Sequence, residues 1–375
     1  MTRSSLLCDL PHILVVLVLF APAGRCSGGE PPERLLADAG RSDWRIVIAA
    51  DAPPATRYAA EELQTFFEKI TGARLPIAAD RESPREREIL VGRSRRLDEL
   101  RPPVDFDGLG CEGYELRTQG QKLIVAGGEP RGTLYGVYEL LEDTWGCRWF
   151  TPEVEHVPRI ARLPLPALNE RKTPAFEYRE LDLWEGRDGN WMARNRLNGS
   201  SGRGRAADRW GVHSPAPWIE ARHGGDIRFG SGFFVHTFEK LAPAKEYFAS
   251  HPEYYALVDG KRVPDQLCCT NEEVIRVCAE AIRNGIRQQP DATVFSCSQN
   301  DNGNYCRCEQ CQALAKAQQS QMAPVLHLVN RVAESVAEEF PGKIIETLAY
   351  TWTRKAPKSM RPRPNVVIRL CDIEC

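Results

Sequence analysis

Between residues 271 and 370 the apolar pattern switches repeatedly from helical to extended spacing, and this alternation confines the chain to a parallel α/β arrangement. Residues 271–287 put Val274, Val277, Cys278, Ala281 and Ile282 on one helical side. Residues 323–340 carry Leu326, Val329, Val332, Ala333, Val336 and Ala337 at three-and-four spacing, a buried-face helix. Thr293, Val294 and Phe295 form a short apolar strand, and residues 344–350 and 365–370 form two more. About five or six such strands precede the terminus, short of the eight that close a barrel, so an incomplete barrel is expected.

The exit of the 293–295 strand concentrates polar groups: Ser298, Gln299, Asn300, Asp301, Asn302 and Gly303. Parallel barrels keep their chemistry at such exits, although Asn, Asp and Gly also enter turns for backbone reasons alone. Bulk properties exclude one class of partner. The 375 residues carry a net charge of −2 and no Lys/Arg stripe of the kind that neutralises phosphate backbones, so nucleic acid is not expected.

The first residues differ from the rest. Arg3, the apolar run 13–20 and the small residues Ala21, Pro22, Ala23 and Gly24 fit a secretory signal peptide over 1–26. That run is too short to span a bilayer, so no membrane association is expected after cleavage and the mature protein is expected to be secreted or periplasmic. Lipid attachment at Cys26 is disfavoured by Arg25 before it. Of thirteen cysteines, removing Cys8 and Cys26 leaves eleven, an odd number. Cys306, Cys308 and Cys311 form C-x-C-x-x-C, with Cys268, Cys269 and Cys297 as possible neighbours. A disulfide or buried thiols is the favoured reading over a metal, because no second C-x-x-C or H-x-x-x-H completes a ligand set. No cofactor is expected.

From Trp44 the chain reads strand (44–49), helix (56–70), strand (88–91), paired strands (113–117 and 122–126) and helix (131–144), a compact α+β domain over 30–158. Gly127-Gly128 reads as a tight turn, since the G-x-G-x-x-G and P-loop patterns are absent. Pro-rich residues 159–175 read as a linker, and 176–375 as the barrel portion. Within it, 176–184 reads as a first strand carrying Arg179, Glu180 and Asp182, and 232–238 as a strand with His236 near its exit. Residues 191–197 read as a helix. Tyr254 and Tyr255 alternate, so at most one faces a ligand.

The segments YAAEELQTFFEKITGARLPI, GYELR and RGTLYGVYELLEDTWGCRWFTP resemble the small domain that precedes the barrel in bacterial alpha-glucuronidases and beta-hexosaminidases. With the downstream segments the chain is most similar to the bacterial family called domain of unknown function 4838. The resemblance implies an α/β fold: a small α+β N-terminal domain, hexosaminidase domain 2-like, followed by a (β/α)8-type TIM barrel, here incomplete. It also implies an exported glycosidase. Arg179 matches the arginine that grips sugar hydroxyls, its rival reading being an ion pair with Glu180 or a neighbouring carboxylate. His236 matches a histidine at a comparable strand end.

Glycoside hydrolysis generally needs a carboxylic acid for the leaving oxygen and a second carboxylate at the anomeric carbon. Asn300-Asp301 resembles the Asp-Glu pair of hexosaminidases, with Asn where that pair carries its first charge. Asp301 is therefore the candidate acid/base and Glu374, or Asp372, the second carboxylate. Arg179, His236, Asn300, Tyr350 and Asp372 are the candidate sugar-holding groups. The alternatives are a non-catalytic carbohydrate-binding protein on the same scaffold and a metal-dependent hydrolase using the Cys cluster and His236.

Overall fold

A computed structural model describes residues 34–181, 188–200 and 219–371, and everything below concerns these. The amino-terminal part is built on a six-stranded sheet ordered Asn169–Lys172, Tyr114–Gln119, Lys122–Gly127, Glu88–Val91, Arg45–Ile48, Ile77–Ala79. The first two pairings are antiparallel and the rest parallel. Helix Pro54–Thr71 begins at proline, whose missing N–H costs nothing at that position, and ends at Gly72, whose φ of 79° only glycine adopts readily. Its face of Ala59, Leu63, Phe66, Phe67 and Ile70 is buried in the core together with Tyr135, Val137 and Tyr138 of helix Gly132–Glu139. Gly127 and Gly128 are dictated by packing. A Cβ on Gly127 would lie 2.0 Å from the Thr133 nitrogen, and one on Gly128 1.7 Å from the Gly110 carbonyl oxygen.

The residues read as a linker belong to this domain. Arg162–Pro164 pairs with Leu35–Asp38, and Asn169–Lys172 forms the edge of the main sheet against Tyr114–Gln119. Proline-rich sequence is compatible with edge strands, which need only one row of backbone hydrogen bonds.

In the second part, parallel segments follow one another in an open arc: Gly199–Ser200 beside Ile227–Arg228, Phe229 bridged to Val294, then Val294–Ser296, Ile344–Ala349 and Val366–Leu370. The arc does not close among the described residues. Helices Glu272–Gln288 and Met322–Ala337 bury Ile282, Val329 and Val332 in one core with Phe295, Ile345 and Val366. Asn271 caps the first helix, its side chain accepting from the Glu273 and Val274 amides at 2.9 and 3.2 Å.

Among the described residues, two strands expected in this part do not form. Residues 232–238 form a turn, with φ of 74° at Gly232 and 57° at His236, leading into the short helix Phe238–Leu241. The aromatic run that resembles a strand anchors a loop instead: Phe233 packs edge-on against Phe295 at 5.2 Å. Its ring also lies 2.4 Å from where a Cβ on Gly285 would stand. Residues 176–181 form no ladder, although the Arg179 carbonyl accepts from the Asn198 and Gly199 amides at 3.0 and 2.9 Å.

The two parts are bolted together by arginines of the segment 188–198. Arg194 bonds Glu62, and Arg196 bonds Glu139 and Glu142, while Trp191, Met192 and Ala193 enter the amino-terminal core. His223 lies in the same seam, 1% exposed, edge-on to Tyr58 at 5.3 Å. Its Nδ1 accepts from the Glu220 amide, so the proton sits on Nε2, 2.9 Å from the Asn190 Oδ1 that Tyr58 also donates to.

Burial, then the Arg222 guanidinium, pushes the His223 pKa down to about 4, against the opposing pull of Glu220, Glu62 and Asp188. An unfolded histidine takes up its proton near 6.5, so the stability supplied by neutral His223 is present above pH 6.5 and lost as pH falls towards 4. The loss is about 3 kcal/mol. Urea unfolding at pH 7 and pH 4 should show this decrement in the natural chain and lack it in His223→Gln. Equal acid sensitivity of the two would refute the assignment.

Candidate functional site

Parallel pairing places the exits of Val294–Ser296, Ile344–Ala349 and Val366–Leu370 at one end of the arc. Beneath them runs a buried polar chain. Ser298 Oγ lies 2.8 Å from Ser296 Oγ, which donates to Glu346 Oε2 at 2.6 Å, and Arg369 Nε donates to Glu346 Oε1 at 3.0 Å. Glu346 is 1% exposed; burial raises its pKa above the ordinary carboxyl range, and the bonds from Ser296 and Arg369 oppose that rise. Arg369 in turn lies over the rings of Tyr178, Phe229 and Phe234. Glu346, Arg369, Tyr178 and Phe229 border a largely apolar hollow of about 790 Å³, with Arg179 and Glu180 also in its wall.

His236 joins the turn before Phe238–Leu241 to the strand exits. Its amide donates to Ser298 Oγ at 2.9 Å, its Nδ1 sits 2.8 Å from the Gln299 carbonyl oxygen, and its ring meets Tyr350 at 5.9 Å. The left-handed backbone at His236 is what turns the chain toward that exit. His236, Tyr350 and the 299–301 loop therefore share one location.

That loop is held rigidly. Asn300 donates to the Asp265 carbonyl at 2.7 Å and accepts from the Glu239 amide at 3.2 Å. Gln266 Nε2 binds the carbonyl oxygens of Asn300 and Asn302 at 2.8 and 3.0 Å, and Trp352 Nε1 donates to the latter at 3.0 Å. Asn300 and Asn302 are half-buried and Asp301 between them is exposed. Asn300 thus shapes the loop with both ends of its amide, while Asp301 is the member open to solvent.

Arg179 lines the hollow beside Tyr178 and Glu180 but, among the described residues, makes no contact with the His236 turn or the 299–301 loop. Its Nη2 pairs with Glu112 at 2.7 Å, its Nε donates to the Arg196 carbonyl at 2.6 Å, and its guanidinium lies 5.6 Å from the Tyr135 ring. The guanidinium is engaged by the amino-terminal domain, so the ion-pair reading describes it, with Glu112 as the partner. Tyr254 and Tyr255 are 7% and 1% exposed and offer no stacking platform. Tyr254 stacks on His251 at 4.6 Å and Tyr255 donates to the Ala242 carbonyl at 3.0 Å. Glu374, Asp372 and Asp182 lie outside the described residues.

Glu346 went unrecognised in the sequence. Its signal was a lone carboxylate at the period-2 position of an otherwise apolar strand, IIETLA, where a charge needs a buried partner.

A family model described as Domain of unknown function (DUF4838) matches residues 149–375, and one described as Glycosyl hydrolase family 67 N-terminus matches residues 37–140. The chain is similar to a probable alpha-glucuronidase A of Aspergillus terreus, 26% identical over 133 residues, which are 35% of this chain and 14% of that protein. Among solved structures, a family GH115 4-O-methyl-alpha-glucuronidase with specificity for decorated arabinogalactans aligns at 13% identity. That alignment covers 90% of this chain and 46% of that one, with a TM-score of 0.49. A Streptomyces plicatus N-acetyl-beta-hexosaminidase bound to Thio-NAglucal aligns at 15% identity over 88% of this chain and 65% of that one, with a TM-score of 0.43. The chain thus spans less than two thirds of the length of each.

Proposed function

Because the chain belongs to the family described as Domain of unknown function (DUF4838), with a glycosyl hydrolase amino-terminal module ahead of it, we propose that it is an exported glycoside hydrolase-like protein acting on an oligo- or polysaccharide. The arc of parallel strands is the portion of a (β/α)8-type barrel on which this chemistry rests. The observation that carries the reading is the meeting of His236, Tyr350 and the Asn300-Asp301 loop at the strand exits. A sugar seated there meets an exposed carboxylate, an imidazole and a phenol, groups that hold hydroxyls and move a proton.

In this reading Asp301 protonates the leaving oxygen, and the second carboxylate is Glu374 or Asp372, which come after Val366–Leu370 in the sequence. His236, Tyr350 and Asn300 hold the sugar or the loop that meets it. Glu346 orders the floor beneath them through Ser296 and Arg369.

A release screen of the full chain over uronic-acid and N-acetylhexosamine glycosides tests the proposal. Liberated sugar from one class is the expected result. Glycan binding without release from any class would replace hydrolysis by carbohydrate binding, and neither binding nor release would end the reading.

A further inference from the structure

The loop that carries Asp301 is flanked by four cysteines whose role the sugar chemistry leaves unexplained. The Sγ atoms of Cys268, Cys306, Cys308 and Cys311 all lie within 4.8 Å of one another, with Cys268 and Cys308 3.7 Å apart. Four thiolates around one zinc at about 2.3 Å would stand roughly 3.8 Å apart at the corners of a tetrahedron. The cluster is thus within about 1 Å of a closed tetrathiolate shell. We propose that these four cysteines bind one structural zinc ion, which fastens the Asp301 loop to the hairpin and helix on either side of it.

The ligands come from separate elements, as a staple requires. Cys268 follows the hairpin Tyr255–Val258 and Lys261–Leu267, Cys306 and Cys308 lie on the loop, and Cys311 is in helix Glu309–Gln318. The fourth ligand, which spacing alone left missing, is delivered by the fold. Cys269 and Cys297 instead pack in the apolar core with Phe295. Cys268, Cys306 and Cys311 are buried and Cys308 is half-buried, so the shell is closed, with four protein ligands and no open position for a reacting water.

The surroundings suit the charge. Binding Zn²⁺ to four thiols releases four protons and leaves a net charge of −2 on the site. Donors already point at the sulfur: the Leu257 amide lies 3.3 Å from Cys306 Sγ and the Arg262 guanidinium 3.9 Å from it. Thr270 Oγ1 lies 3.2 Å from Cys311 Sγ. Sulfur-only tetrahedral sets select zinc or iron among common metals.

The staple acts on the loop through its neighbours. Gln266, which holds the carbonyls of Asn300 and Asn302, stands two residues before Cys268, and Asn304 stands two residues before Cys306. Asn304 also bonds the Asp265 carboxylate at 2.7 Å.

The full chain, purified without chelator, should contain one equivalent of zinc by elemental analysis. A mercurial thiol reagent should release it into a zinc-sensitive dye, and cobalt substitution should give the intense visible bands of a tetrahedral tetrathiolate. Cys268→Ser and Cys311→Ser should lose the metal, while Cys278→Ser, in the apolar core, should keep it. Removing the zinc should speed hydrogen exchange across residues 299–311 relative to helix Met322–Ala337. Since the serine variants can fail to fold, the natural chain decides the matter. Protein that stays zinc-free after reduction and addition of zinc chloride, stoichiometric iron in zinc's place, or disulfides among these cysteines by mass spectrometry would each overturn the proposal.

Discussion

Replacing Glu112 by alanine is expected to destabilise the folded protein by about 3–5 kcal/mol, the range found when one member of a buried ion network is removed. Glu112 is 8% exposed and holds three donors: Arg131 Nε and Asn198 Nδ2 on Oε1, both at 2.6 Å, and Arg179 Nη2 on Oε2 at 2.7 Å. Two positive charges therefore rest on one negative charge at the seam between the amino-terminal sheet and the strand arc. Alanine would leave both guanidiniums without a counter-charge there, with the carbonyls of Gly224, Gly225, Arg196 and Phe176 and the Tyr135 hydroxyl as acceptors. Asn198 would keep its bond to the Glu177 carbonyl at 2.7 Å, so most of the loss comes from the uncompensated charges. Urea denaturation at neutral pH measures the change. A loss below about 1 kcal/mol would mean that solvent screens this hub as it does surface pairs. The triple variant E112L/R131M/R179M separates the network's own worth from the penalty of breaking it, and should recover much of the lost stability.

Which features were legible in the sequence follows from how local their physics is. Helix Met322–Ala337 and strand Ile344–Ala349 were readable because three-and-four spacing and a short apolar run each have one stable burial solution. The run GFFVHTF defeated the same logic, since Phe233 buries equally well from a strand or from a loop wedged against Phe295, and only the Gly232 and His236 backbones decide between them. The hairpin from Tyr255 to Leu267 was overlooked although Asp259-Gly260, with φ of 47° and 79°, carries the signal of a two-residue turn. Arg179 shows the deeper limit: its charge was visible, but its partner Glu112 lies in another domain, and no spacing rule reaches that far. Cys268 is the same case in reverse. Three clustered cysteines pointed to Cys268, Cys269 and Cys297 as possible neighbours, and only the hairpin singles out Cys268 by bringing it to them.

Changing Asp301 to asparagine is expected to lower kcat/KM on any responsive glycoside by roughly 10²- to 10⁴-fold, the range that one positioned proton donor supplies. The substitution preserves shape and removes both the transferable proton and the charge. It should do so without unfolding the loop, because the groups that hold the loop are its neighbours: Asn300 through Asp265 and Glu239, and Asn302 through Gln266 and Trp352. Stability within about 0.5 kcal/mol of the natural chain is accordingly expected, as for an exposed side chain away from such contacts. Glu346→Gln should behave in the opposite way. Its carboxylate binds Ser296 and Arg369 inside the arc, so an amide there loses an acceptor for Arg369 and should lower stability more than it changes the proton-transfer limb of the pH profile. Glu374→Gln should resemble the Asp301 variant if, as proposed, both carboxylates flank the scissile bond. Full activity in Asp301→Asn combined with a collapse in Glu346→Gln would move the acid/base role from the exposed loop to Glu346, which lines the hollow and whose burial already favours the protonated carboxyl.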